Sequence, residues 1–311
     1  MSRVAFVFPG QGSQFVGMGK DFYDNFPLAR KIFEQADETL GFSISKICFE
    51  GPAEVLTLTE NTQPAILTTS VAIYEVIKAE GLLMPDFVAG HSLGEYTALV
   101  VAEAMSFSDA VKTVRKRGRY MQEAVPVGVG AMAAILGLDV STVRQVCEEV
   151  EQNGKVCSPA NINSQSQIVI AGDAEAVDKA IDLVKQRGAK KAIKLNVSAP
   201  FHCKLMFPAQ EKLSADLKEI DFNDLKFPIV ENVSAEFNQS GERAREALIE
   251  QVSSPVRWAE SVNKLIQKGV TTFVEIGPGK VLSGLIKQIN RDVRCLNIEK
   301  TENLQELRRS L

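Results

Sequence analysis

The residues with the clearest chemical capacity sit in Gly90-His91-Ser92-Leu93-Gly94, a G-x-S-x-G pattern between a strand-like run, Phe87–Ala89, and a helical pattern from Leu93 to about Ala104. A serine on a tight strand-to-helix turn is held out of the sheet, and glycines on either side remove side chains that would clash there. Its hydroxyl can then attack a bound ester or thioester. The backbone N–H of Leu93, at the helix N-terminus, is placed to help stabilise the oxyanion that attack creates. The five-residue pattern also arises as an ordinary Gly-Ser turn, so the chemistry requires a base. The chain has two histidines. His91 adjoins the serine, and neighbours around such a turn point apart, so it reads as a packing or hydrogen-bonding residue of the turn. His202, in Ser198-Ala199-Pro200-Phe201-His202-Cys203, is left as the general base. An imidazole base needs an acceptor for its second N–H to fix the tautomer. No motif marks an Asp or Glu for that role, and a backbone carbonyl can fill it, which would make a Ser–His dyad.

A third group emerges from helical periodicity. Winding residues 108–124 at about 100° per residue puts Ala110, Val114, Gly118 and Met121 on one apolar stripe, with Val111 at its edge. Arg117 falls within about 60° of Val114, on the buried side, while Lys112, Arg115, Lys116 and Arg119 face the other way. A buried guanidinium needs an anionic or hydrogen-bonding partner, and its planar fork suits a carboxylate. That carboxylate would belong either to a substrate or to an internal Asp or Glu.

The elements that must position these residues follow an α/β rhythm. Val4–Phe8, Phe87–Ala89 and Thr271–Ile276 read as buried strands, each followed at once by glycine, and strand ends of this kind hold the sites of open, mainly parallel sheets. Between residues 128 and 197 the order changes to strand Ala131–Leu136, helix Ser141–Gln152, strands Val156–Asn161 and Gln167–Ala171, helix Ala174–Arg187 and strand Ala192–Val197. That βαββαβ order is the split unit of a ferredoxin-like domain. We therefore expect a large α/β-hydrolase-like domain, residues 1–127 and 198–311, with a small domain, residues 128–197, inserted in it.

Composition narrows the class. The 311 residues are 45% hydrophobic, enough for a large core, and the formal charge of −4 offers no global attraction to nucleic acid or an anionic membrane. Five cysteines without paired spacing suit reduced thiols, and no run approaches the roughly 20 apolar residues of a membrane span. With no leader-like segment after Met1, a cytoplasmic, monomeric enzyme is the expectation. Gly10, Gly12, Gly17 and Gly19 after the first strand raise a nucleotide-binding reading, but they fit neither G-x-G-x-x-G nor a phosphate loop ending in Gly-Lys-Ser/Thr.

The chain resembles the malonyl-CoA:acyl-carrier-protein transacylases and the related acyltransferase domains of polyketide synthases. The similarity rests on Phe8-Pro-Gly-Gln-Gly-Ser-Gln14, Thr62-Gln-Pro-Ala65, Gly90-His-Ser-Leu-Gly-Glu-Tyr96, Arg115-Lys-Arg-Gly118, Ala160-Asn-Ile-Asn163, Ala199-Pro-Phe-His202, Pro255-Val-Arg-Trp258 and Glu275-Ile-Gly-Pro-Gly279. It implies that Ser92 carries the acyl group, that His202 is its base, and that the Gln251 main chain orients His202 in place of a carboxylate. Gln11 and Leu93 would supply oxyanion N–H groups, Gln63 would line the site, and Arg117 would hold the malonyl carboxylate. Phe201 would narrow the pocket beside the acyl α-carbon and disfavour an α-methyl branch. The implied reaction is ping-pong, from malonyl-CoA through a malonyl-Ser92 ester to the phosphopantetheine thiol of acyl carrier protein, in fatty acid synthesis and without metal or redox cofactor. Two basic clusters, Lys112, Arg115, Lys116 and Arg119, and Lys185, Arg187, Lys190 and Lys191, are candidate faces for an acidic carrier protein or the CoA phosphates. One departure is Gln165-Ser166 where the family pattern has Pro-Gly. A serine hydrolase is the nearest rival; it would need neither the arginine nor a thiol acceptor.

Overall fold

In the computed structural model, residues 3–151, 154–197 and 199–309 are described. The predicted helix end at Gln152 and the predicted domain junction at Ser198 lie outside them. Two sheets organise the chain. The larger contains β1 (Arg3–Phe8), β2 (Phe87–Gly90), β7 (Ile229–Val230), β8 (Phe237–Asn238), β9 (Val270–Ile276) and β10 (Arg294–Ile298), in the order β10-β9-β1-β2-β7-β8. All neighbours are parallel except the edge pair β7 and β8. The alternation of strand side chains divides the core: Phe6 and Phe8 enter one apolar layer, Ala5 and Val7 the other. Helices cover both faces, which is why these strands read as continuous apolar runs.

The smaller sheet is built from β3 (Gly130–Leu136), β4 (Cys157–Ser164), β5 (Gln167–Asp173) and β6 (Lys191–Lys194), ordered β4-β5-β3-β6 and antiparallel throughout. With the helices Val140–Val150 and Ala174–Gln186 it realises the βαββαβ order and has its own apolar cluster. The Gln165-Ser166 departure is absorbed locally: Ser164 pairs with Gln167 across a two-residue turn, and the Ser166 carbonyl accepts from the Gly137 N–H at 2.8 Å. The sheets are stitched together where Ile162 N–H donates to the Val256 carbonyl and Val256 N–H to the Ala160 carbonyl, each at 2.8 Å.

Two expectations require correction. The last strand of the small sheet is Lys191–Lys194 rather than Ala192–Val197: a final bond from Leu195 N–H to the Met132 carbonyl at 2.8 Å ends the pairing with β3, and Leu195 and Val197 go on to line the cavity beside Ser92. Arg115 is half-buried, not part of a free basic face. The reason lies in the long helix Thr59–Ala79, which has 17 of its 21 residues buried and carries Pro64 in its interior. Proline has no N–H to give the carbonyl four residues earlier. That carbonyl, Glu60 O, accepts from Arg115 Nη1 at 3.2 Å instead, and the guanidinium also reaches Asn61 Oδ1 and lies 4.6 Å from the Phe42 ring centroid.

Candidate active site

Ser92 joins β2 to the helix Leu93–Val101 with φ 52° and ψ −108°, a region that costs a side-chain-bearing residue strain and persists only where its surroundings hold it. The holding groups are specific. Asn232 spans the turn, with Oδ1 accepting from Ser92 N–H and Nδ2 donating to the Gly90 carbonyl, both at 2.7 Å. Gln251 Nε2 donates to the Ser92 carbonyl at 3.0 Å. The two glycines of the pattern are steric requirements: a Cβ on Gly90 would lie 1.9 Å from the Gly94 carbonyl carbon, and one on Gly94 would lie 2.0 Å from Phe8 O.

Ser92 Oγ is 2.7 Å from His202 Nε2, and His202 Nδ1 is 2.9 Å from the Gln251 carbonyl. A carbonyl only accepts, so Nδ1 carries the proton, Nε2 presents its lone pair, and the serine O–H donates to it. Burial, followed by the nearby Arg117 charge, pushes the imidazole down to about 3. The imidazole is thus neutral in the free protein throughout the physiological range, and if it serves as the general base expected from the sequence, activity should be lost only as pH falls toward that depressed value. In a pH profile, kcat/KM for the acyl donor should hold from pH 7 to about pH 5. A half-loss near the ordinary histidine value of about 6.5 would contradict the depressed base. His91 is the structural residue expected, with Nε2 2.8 Å from Asn163 Oδ1 and its ring 5.7 Å from that of Trp258.

Arg117 lies in the helix Phe107–Glu123 and is only 1% exposed. Nη1 donates to Gln63 Oε1 at 2.9 Å; Nη2 donates to Gln251 Oε1 at 2.8 Å and to Ser92 Oγ at 3.1 Å. The guanidinium carbon is 5.5 Å from the Tyr96 ring centroid. Among the described residues no carboxylate forms an ion pair with it, and its hydrogen-bond partners are all neutral oxygens. A buried cation held this way retains its attraction for an anionic ligand brought beside Ser92.

A cavity of about 130 Å³ opens on these groups, lined by Gln11, Gln63, Ser92, Leu93, Arg117 and His202, with Met121, Met132 and Phe201 as apolar wall. It is far below the roughly 300–1,000 Å³ of a pocket for a drug-sized ligand, so it suits a short acyl group, not a whole thioester. The Ser92 N–H is taken by Asn232, whereas the Gln11 and Leu93 N–H groups have no acceptor among the described residues.

Residues 5–309 match the acyl transferase domain family. The chain belongs to that family. It is 55% identical over 305 residues to the malonyl CoA-acyl carrier protein transacylase of Bacillus subtilis, covering 98% of this chain and 96% of that one. It is 49% identical over 289 residues to the protein of the same name from Escherichia coli K12, covering 93% of both. Among solved structures, the malonyl CoA-acyl carrier protein transacylase of Coxiella burnetii superposes with a TM-score of 0.96 at 44% identity, over 99% of this chain and 98% of that one. A malonyl-transacylase solved in complex with a type II polyketide synthase acyl-carrier protein superposes at 0.97 with 45% identity, over the whole of both chains.

Other residues of the site escaped sequence reasoning. Glu95 and Asn163 stand inside recognised motifs, but nothing in the letters gave them partners. Asn232 belongs to no motif. Glu275, in the last motif, turns out to cap the helix Val281–Ile289, its two oxygens accepting from Leu282 N–H at 3.0 Å and Ser283 N–H at 2.7 Å. The basic faces are partly neutralised: Arg115, Lys116, Arg119, Lys185 and Arg187 pair with Glu60, Asp216, Glu123, Asp182 and Glu149. Exposed pairs of this kind contribute little stability but weaken the field offered to a partner.

Proposed function

We propose that this chain is a malonyl-CoA:acyl carrier protein transacylase of fatty acid synthesis working through Ser92. The observation that carries the reading is Arg117: a buried guanidinium without a carboxylate partner, 3.1 Å from the nucleophilic oxygen, is a receptor for an acyl group with a free carboxylate at its far end. The names of the relatives point to the same donor and acceptor.

In this reading the malonyl carboxylate lies on Arg117, with Gln63 and Gln251 holding the guanidinium. Ser92 Oγ attacks the thioester carbonyl as its proton passes to His202 Nε2. The tetrahedral oxyanion accepts from the Gln11 and Leu93 N–H groups, and the positive imidazole is held through Nδ1 by the Gln251 carbonyl. Collapse breaks the C–S bond, and His202 returns its proton to the departing CoA sulfur. The second half runs in reverse order: His202 takes the proton of the carrier thiol, the sulfur attacks the malonyl ester, and Ser92 leaves with the proton. Phe201 and the two methionines keep the α-carbon side narrow and apolar. No step calls on a metal or redox cofactor.

We assign residues 1–127 and 198–311 to the catalytic domain and residues 128–197 to a small domain that closes one wall of the cavity, and place the enzyme in the cytoplasm. None of the described helices is long and apolar enough to cross a membrane. The test against hydrolysis is a chase: malonyl-loaded enzyme freed of CoA and mixed with phosphopantetheinylated acyl carrier protein should yield malonyl carrier protein, with free malonate a minor product. Release of malonate at the same rate with and without carrier would instead mark a hydrolase.

A further inference from the structure

The donors and acceptors around Gln251 leave its amide only one productive orientation. Its Oε1 faces Arg117 Nη2 at 2.8 Å, while its Nε2 donates to the Ser92 carbonyl at 3.0 Å and to Glu95 Oε2 at 2.5 Å. Glu95 itself is 2% exposed, and its other oxygen accepts from Asn232 N–H at 3.2 Å. An amide is nearly symmetric in shape, so packing alone does not distinguish its oxygen from its nitrogen; the hydrogen-bond partners do. A flipped Gln251 would point an NH₂ group at the guanidinium and an oxygen at two acceptors, losing three hydrogen bonds together.

We propose that Glu95 is a positioning residue for acyl-group selection, holding the Gln251 amide so that its oxygen supports Arg117 beside Ser92. This rests on the reading of Arg117 as the carboxylate receptor. The Glu95 side chain is not part of the cavity lining and bonds neither Ser92 Oγ nor His202; its hydrogen-bonded route to Arg117 runs through the Gln251 amide. The cost of keeping a carboxyl there is visible in its acidity, which burial raises to about 8 against the opposing effect of the Gln251 and Asn232 donors. A carboxyl placed merely to fill space would be cheaper as an apolar side chain. Its two oxygens instead meet two N–H donors, including the one that fixes the amide. Asn232 lies in the same network and clamps the serine turn, so Glu95 joins the geometry of the nucleophile to that of the arginine.

The test is the ratio of kcat/KM for malonyl-CoA to that for acetyl-CoA in Glu95→Ala, Glu95→Gln and Arg117→Ala. A ratio measured on one sample does not depend on the fraction that is folded. Arg117→Ala should collapse it. Glu95→Ala should lower it about tenfold, and Glu95→Gln, nearly isosteric but with an NH₂ where one acceptor is needed, about threefold or more when both substrates are assayed above pH 8, where the Glu95 carboxyl is ionised and both its oxygens accept. Should the alanine variant not fold, the glutamine variant decides alone. A wild-type ratio in the Glu95 variants, even with both substrates slowed equally, would reduce Glu95 to a structural role and overturn the proposal while leaving Arg117 intact. An unchanged ratio in Arg117→Ala would overturn the receptor reading and the Glu95 role with it.

Discussion

Replacing His202 with alanine should lower kcat for malonyl transfer by about 10³- to 10⁴-fold, with a much smaller change in KM. The size follows from the geometry. Nε2 is 2.7 Å from Ser92 Oγ and is the only imidazole nitrogen that reaches it among the described residues, so no other base takes over the proton. Nor does a carboxylate hold the far side of the ring: Nδ1 ends on the Gln251 carbonyl, which fixes the tautomer without adding a full negative charge. The residual rate would come from the oxyanion donors and from binding. A loss of less than tenfold would mean that proton removal by His202 is not part of the rate-limiting chemistry. The measurement is steady-state kinetics with malonyl-CoA and carrier protein, alongside a fold check by circular dichroism.

The second large effect belongs to Arg117. Arg117→Ala should cost malonyl-CoA about 3 kcal/mol in kcat/KM, about a hundredfold, the scale for removing one partner of a buried charged hydrogen bond. Acetyl-CoA has no carboxylate to lose and should fall far less, so preference moves toward uncharged acyl groups. Arg117→Lys should be intermediate, since an ammonium keeps the charge but not the fork that spans Gln63, Gln251 and Ser92. Equal losses for malonyl and acetyl substrates would make Arg117 a support for Ser92 rather than a receptor.

These residues were legible in the sequence to different depths, for physical reasons. Ser92 was visible because its turn needs glycine at two fixed offsets, and close approaches of about 2 Å at Gly90 and Gly94 enforce them. His202 was found by counting, since the chain has two histidines and one adjoins the serine. Arg117 was visible through periodicity, because a helix face is a property of neighbouring residues. The same periodicity puts Arg115 on the open face, whereas its burial depends on a carbonyl freed by Pro64 on another helix. The parallel sheet and the small antiparallel one follow from alternation of strands and helices, whereas the end of β6 does not, because the pairing with β3 stops after the Leu195 N–H while the apolar pattern runs on through Val197 to line the cavity. Asn232 lies 140 positions from Ser92, after a two-residue strand, and its clamp on the turn exists only once β7 pairs with β2. The Gln251 side chain and Glu95 were hidden for the same reason: a buried polar network is written in partners from distant segments.

The central claim is that Ser92 carries the acyl group, and intact mass spectrometry tests it most directly. After brief exposure to malonyl-CoA and removal of free nucleotide, wild-type protein should retain one malonyl group on Ser92, and Ser92→Ala should retain none. A malonyl adduct of equal yield in the alanine variant, or one mapped by peptide sequencing to any other residue, would contradict the account.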